Sequence, residues 1–112
     1  MTSIKKIGLG VAAASLAILA AMSAAEAKRA RCYTTDDGYY DCNFKGLDNR
    51  GSFIIWESGY PSFTLEMDSP GVAYGYANYG SGNVSLPGTY YRNNNDGACW
   101  DNSDTGTQIC AW

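Results

Sequence analysis

The stretch Cys32-Tyr33-Thr34-Thr35-Asp36-Asp37-Gly38-Tyr39-Tyr40-Asp41-Cys42-Asn43-Phe44 decides the fold, because its pattern returns at the other end of the chain. There it reads Cys99-Trp100-Asp101-Asn102-Ser103-Asp104-Thr105-Gly106-Thr107-Gln108-Ile109-Cys110-Ala111-Trp112. Each copy runs cysteine, aromatic, polar turn ending in glycine, cysteine, one residue, aromatic. Such a turn closes a β-hairpin, with glycine supplying the left-handed residue of a short loop. In the first copy a loop of Asp36-Asp37-Gly38 sets Thr35 against Tyr39 and Cys32 against Cys42. In the second, a loop from Ser103 to Gly106 sets Asn102 against Thr107 and Cys99 against Cys110. Directly opposed residues have Cα atoms about 4.5 to 5.5 Å apart, a span that a disulfide bridges. Of the three pairings open to four cysteines, the local one, Cys32 with Cys42 and Cys99 with Cys110, is therefore expected. Each short loop then contributes roughly 2 to 3 kcal/mol by restricting the unfolded chain. The competing pattern, Cys32 with Cys110 and Cys42 with Cys99, requires the two terminal hairpins to lie side by side with their cysteines aligned.

Disulfides imply an oxidising compartment, and the start of the chain agrees. Lys5 and Lys6 precede an almost wholly apolar run from Ile7 to Met22, and Ala25-Glu26-Ala27 supplies the small residues that signal peptidase needs. Residues 1–27 read as a helical signal peptide cleaved after Ala27, leaving one small domain over 28–112. The apolar run falls short of the roughly 20 residues that span a bilayer, so no stable membrane anchor is expected. Lys28 stands where a lipoprotein needs cysteine. The formal charge of the whole chain is −3, which repels phosphate backbones and argues against nucleic acid as a partner.

Outward from the hairpins, no run after Lys28 has apolar residues at helical spacing, and Gly, Asn, Pro and Tyr interrupt the chain every few residues. Short strands are expected over 31–35, 39–44, 52–56, 62–67, 72–79, 83–86, 89–92, 98–102 and 107–112. In 62–67, Phe63, Leu65 and Met67 alternate with polar residues, so this strand buries one face. Phe53-Ile54-Ile55-Trp56 is apolar on both faces and is expected to be central, forming a core hairpin with 62–67. The whole reads as an all-β, disulfide-stapled antiparallel domain, either a sandwich or a small barrel. Trp112 fits a strand that ends inside its core.

The chain contains no histidine, which removes histidine-activated nucleophiles and histidine-ligated metals. Asp101-Asn102-Ser103-Asp104-Thr105-Gly106 resembles the opening of a calcium loop, but Trp112 occupies the position of the closing acid, so a polar hairpin turn is the better reading. No catalytic residue, metal ligand or cofactor is assigned. Glu57, Glu66 and Asp68 are the acids available to a polysaccharide hydrolase; Glu66 belongs on the solvent face of its strand and the other two in turns.

In Val72-Ala73-Tyr74-Gly75-Tyr76-Ala77-Asn78-Tyr79 the residues Tyr74 and Tyr76 share one face of a strand, and Ala73, Gly75 and Ala77 share the other. A tyrosine row is a candidate binding platform, since tyrosine presents apolar area and a polar tip without a flexible stem. The more routine arrangement in a small β domain turns such rings into the core. Tyr74 and Tyr76 are the candidate binding residues, for a glycan or protein of the cell envelope.

The stapled start, the 70–78 segment, Val84-Ser85-Leu86-Pro87-Gly88 and the Cys99-Trp100 to Trp112 ending together resemble small exported cysteine-containing proteins of Gram-negative bacteria. The resemblance implies export and carries no activity or functional residue with it. The expectation is a periplasmic or extracellular non-enzymatic binding module. The alternatives are a carboxylate-dependent hydrolase of cell-wall polysaccharide, or an inhibitor that plugs a foreign hydrolase with a stapled turn.

Overall fold

The computed structural model describes residues 26–112, so the expected signal peptide lies outside the described residues apart from its last two. Nine strands follow in order: β1 (Lys28–Thr34), β2 (Gly38–Gly46), β3 (Phe53–Trp56), β4 (Ser62–Ser69), β5 (Val72–Asn78), β6 (Asn83–Ser85), β7 (Tyr90–Arg92), β8 (Cys99–Asn102) and β9 (Thr107–Ala111). Every pairing is antiparallel, and the hydrogen-bonded order β4-β3-β2-β1-β9-β8-β7-β5 closes on itself because β5 also pairs with β4. The strand β6 joins the same edge of β5 as β7, matched to Tyr76–Asn78 while β7 matches Val72 and Ala73. The two are one strand broken at Leu86-Pro87-Gly88-Thr89, so the domain is an eight-stranded up-and-down barrel.

Alternation sorts the side chains into an apolar interior and a wall of charged, polar and aromatic residues. Phe53, Ile55, Phe63, Leu65, Met67, Ala73, Ala77, Tyr90, Trp100 and Ile109 are buried together inside. Arg29, Arg31, Asp41 and Glu66 are exposed on the outside, the reverse of the apolar lipid-facing band of a membrane barrel. As expected, β4 buries Phe63, Leu65 and Met67. The apolar run of β3 departs from expectation. A closed barrel has no central strand, so Phe53 and Ile55 point inward while Ile54 and Trp56 stay half-buried on the wall.

Both local disulfides form, and no cysteine is free. Their closure fits an oxidising, non-cytoplasmic location. The second hairpin has the expected register, Cys99 opposite Cys110 and Asn102 opposite Thr107. The first closes one residue earlier on each strand, with Thr34 opposite Gly38 and Cys32 opposite Tyr40. The reason is local: the Thr34 hydroxyl accepts the Asp37 amide at 3.1 Å, so the turn begins at Thr34, and Gly38 (φ 71°) is already paired. Cys32 and Cys42 are therefore diagonal neighbours on the inner face, with Cα atoms 5.9 Å apart.

The loops after β1, β3, β5 and β8 emerge at one end, called here the upper mouth; those after β2, β4 and β7 emerge at the lower. Near the upper mouth the broken strand is held by Asn102, which is buried. Its Nδ2 donates to the Pro87 carbonyl at 2.7 Å, and its Oδ1 accepts the Asp104 and Thr105 amides at 3.1 and 3.3 Å. Gly88 adopts φ 75°, and a Cβ there would stand 2.5 Å from Asn102 Oδ1, so this contact admits only glycine.

Candidate functional site

Tyr74 and Tyr76 lie on the outer wall, Tyr74 46% exposed and Tyr76 half-buried. The core-filling alternative fails for a steric reason. Ala73, Gly75 and Ala77 occupy the inner face of β5, and a Cβ on Gly75 would come within 2.6 Å of Tyr90 Cε2 and 3.2 Å of Leu86 Cδ1. That part of the core is already filled by Tyr90 and Leu86, so β5 can present only small residues to it. The tyrosines are left outside among polar neighbours: Tyr74 stands opposite Glu66, and Tyr76 between Thr64 and Ser85. One pair further along β5, Tyr91 stands opposite Val72 and is also exposed. The result is a row of aromatic faces flanked by hydroxyls and by the Glu66 and Asp101 carboxylates, able to stack on a flat apolar surface and exchange hydrogen bonds at its edges.

The three acids of the hydrolase alternative stand in different surroundings. Glu57, in the β3–β4 loop, receives both Arg29 guanidinium nitrogens at 3.2 Å, which hold its carboxyl below the usual range. Glu66 is exposed on the wall beside Tyr74. Asp68 lines a depression at the lower mouth with Arg50 and Arg92. Among the described residues no group of three or more metal-ligating side chains is gathered. The calcium-like segment is a hairpin turn whose carboxylate Asp101 accepts from Asn93 Nδ2 at 2.8 Å and Gln108 Nε2 at 2.7 Å.

Trp112 does not end inside the core. It lies beyond β9, 47% exposed, stacked 5.9 Å from the Tyr39 ring, with its indole N–H donated to Asp96 at 2.9 Å. Position 112 has the parity of Cys110, and that row of β9 faces out.

Sequence reasoning missed the upper mouth, whose cavity gathers residues from four strands and four connecting segments. A cavity of about 140 Å³ there is lined by Phe63, Leu86, Tyr90 and Ile109 below and by Thr35, Asp36, Tyr79, Thr105 and Thr107 at the rim. Tyr79 also borders an adjoining open depression with Tyr60, Ser62 and Asn78. Tyr40, buried against Tyr60 with ring centroids 4.3 Å apart and planes 3° from parallel, has a hydroxyl without a hydrogen-bond partner among the described residues. Burial first, then the nearby Asp37 charge, pushes its pKa up to about 12. No linear motif announces this end of the barrel; only the closure of β9 onto β1 brings 34–36 beside 105–109.

No protein-family model, curated protein or solved structure matches this chain.

Proposed function

We propose that the chain is an exported, non-enzymatic binding module that attaches to envelope glycan through the tyrosine row of β5. The observation that carries the reading is the outward placement of Tyr74 and Tyr76, forced by the filling of the core with Tyr90 and Leu86. Hydroxyls at Thr64 and Ser85 and the Glu66 carboxylate beside the rings suit a sugar, which offers an apolar ring face and hydroxyl edges. Export is supported by the closed disulfides and by the start of β1 at Lys28, the residue after the expected cleavage point.

Co-sedimentation with purified peptidoglycan sacculi tests the proposal. Tyr74→Ala with Tyr76→Ala is expected to weaken retention about tenfold or more, in the range of an aromatic anchor, with circular dichroism unchanged. Equal retention of the folded double variant refutes it.

A second reading, inhibition of a foreign hydrolase, draws on the turn at 103–106. All four of its residues are exposed, and it is pinned by Asn102 and, at its base, by the Cys99–Cys110 bridge. A rigid exposed turn suits insertion into an active site. Assay against muralytic hydrolases decides this reading, and unaltered rates at saturating protein end it.

A further inference from the structure

The upper mouth has a sequence property that its geometry turns into chemistry. The loops around it, 35–37, 57–61, 79–82 and 103–106, contain Asp36, Asp37, Glu57 and Asp104 and no lysine or arginine. The basic residues of the described chain, Lys28, Arg29, Arg31, Lys45, Arg50 and Arg92, all lie on strands or on the β2–β3 loop of the lower end. Only one of them reaches an upper loop, Arg29 at Glu57.

Below this acidic rim lies the cavity of about 140 Å³, close to the size of about 150 Å³ that admits a benzene-sized molecule. Its floor is apolar: Phe63, Leu86, Tyr90 and Ile109. Most of the polar rim is already engaged. The Thr35 hydroxyl accepts the Gln108 amide at 2.7 Å, Thr105 and Thr107 share a hydrogen bond at 2.7 Å, and Thr34 is bonded to Asp37. Asp36 lines the same cavity, and its carboxylate has no ion-pair partner among the described residues.

An apolar slot ended by an unpaired carboxylate and aromatic faces matches a ligand with an aliphatic stem and a cationic head. The stem is dehydrated against Leu86 and Ile109, while the head stays at the wet rim beside Asp36 and the Tyr79 ring. We propose that the upper mouth binds an alkylammonium or alkylguanidinium group, carried by a free amine or by a lysine or arginine side chain of a partner. The site is separate from the tyrosine row, since neither Tyr74 nor Tyr76 lines it.

The test is a titration of the oxidised, isotope-labelled protein followed by amide chemical shifts. The probes are n-butylammonium, n-butylguanidinium, n-butanol, butyrate and a pentapeptide Gly-Gly-Lys-Gly-Gly. The cations are expected to shift the amides of 34–36, 79 and 105–109 and to bind at least about tenfold more tightly than butanol or butyrate, a difference of about 1.4 kcal/mol. Asp36→Asn, at an exposed position, is expected to abolish that preference with the remaining spectrum intact. Response to butylammonium but not to the peptide assigns the site to free amines; response to the peptide assigns it to side chains. Equal binding of butanol and butylammonium, shifts away from the mouth, or an unchanged preference in Asp36→Asn overturns the proposal. None of these results bears on sacculus binding through β5.

Discussion

The two hairpins that share a sequence pattern place their disulfides on opposite sides of the barrel wall. Cys32–Cys42 joins the buried core among Tyr40, Phe53 and Ile55. Cys99–Cys110 lies on the outer face, where it is also buried, because Trp100 and Ile109 take the inner positions of their strands. Tyr33 flanks it in register on β1, and the neighbouring loop is tied down through Asn93, Asp96 and Trp112. The difference also explains why the bridges do not exchange partners. The terminal hairpins do lie side by side, Cys32 opposite Ala111 and Tyr33 opposite Cys110, yet Cys32 points in and Cys110 points out. Strand parity, more than distance, selects the pairing.

The largest effect that sharpens this contrast is bridge removal. Cys32→Ala with Cys42→Ala is expected to cost about 4 to 5 kcal/mol, because loss of the loop constraint is joined by cavities in the core. Cys99→Ala with Cys110→Ala, buried as well but outside the core cluster, is expected to cost about 3 kcal/mol, the loop constraint with a smaller packing loss. Urea unfolding of both double variants ranks them, and a reversed order breaks the inside–outside assignment. Next is Asn102→Ala, which strands the Pro87 carbonyl and two turn amides; about 2 kcal/mol is expected from the same measurement. A smaller effect of opposite sign belongs to the inner face. Tyr40→Phe removes a buried hydroxyl that has no partner among the described residues and keeps the stack on Tyr60, so thermal unfolding should show a gain of about 1 kcal/mol.

The smallest effect concerns pH. Arg29 lowers the Glu57 pKa in the folded state, so their contact adds stability above the ordinary glutamate pKa and loses it as pH falls through the lowered value. Both side chains are partly exposed, and a modest effect follows. Glu57→Gln should flatten the acid limb of a stability–pH profile; an unchanged limb shows that the pair contributes nothing.

What the sequence made legible was local. All nine strands, both disulfides, the second hairpin's register and the buried face of β4 followed from alternation and turn chemistry. What it withheld was long-range. Whether the ends met in a barrel depended on β9 reaching β1 and β5 reaching β4. The inward side of β5 depended on Tyr90 and Leu86 filling the space over Gly75. The same limit applied to Trp112, whose outward parity is set by Ile109 entering the core. The candidate site was thus half readable: alternation put Tyr74 and Tyr76 on one face, and only tertiary packing said which.

The most direct test of the wall-binding account is tyrosine-resolved oxidative footprinting of the native protein, free and bound to sacculi. The account predicts that Tyr74 labels readily in the free protein while Tyr40 and Tyr90 are protected, and that sacculi suppress labelling at Tyr74 and Tyr76 while leaving Tyr39 unchanged. Labelling of Tyr90 as fast as Tyr74, or no protection of Tyr74 and Tyr76 on sacculi, contradicts it.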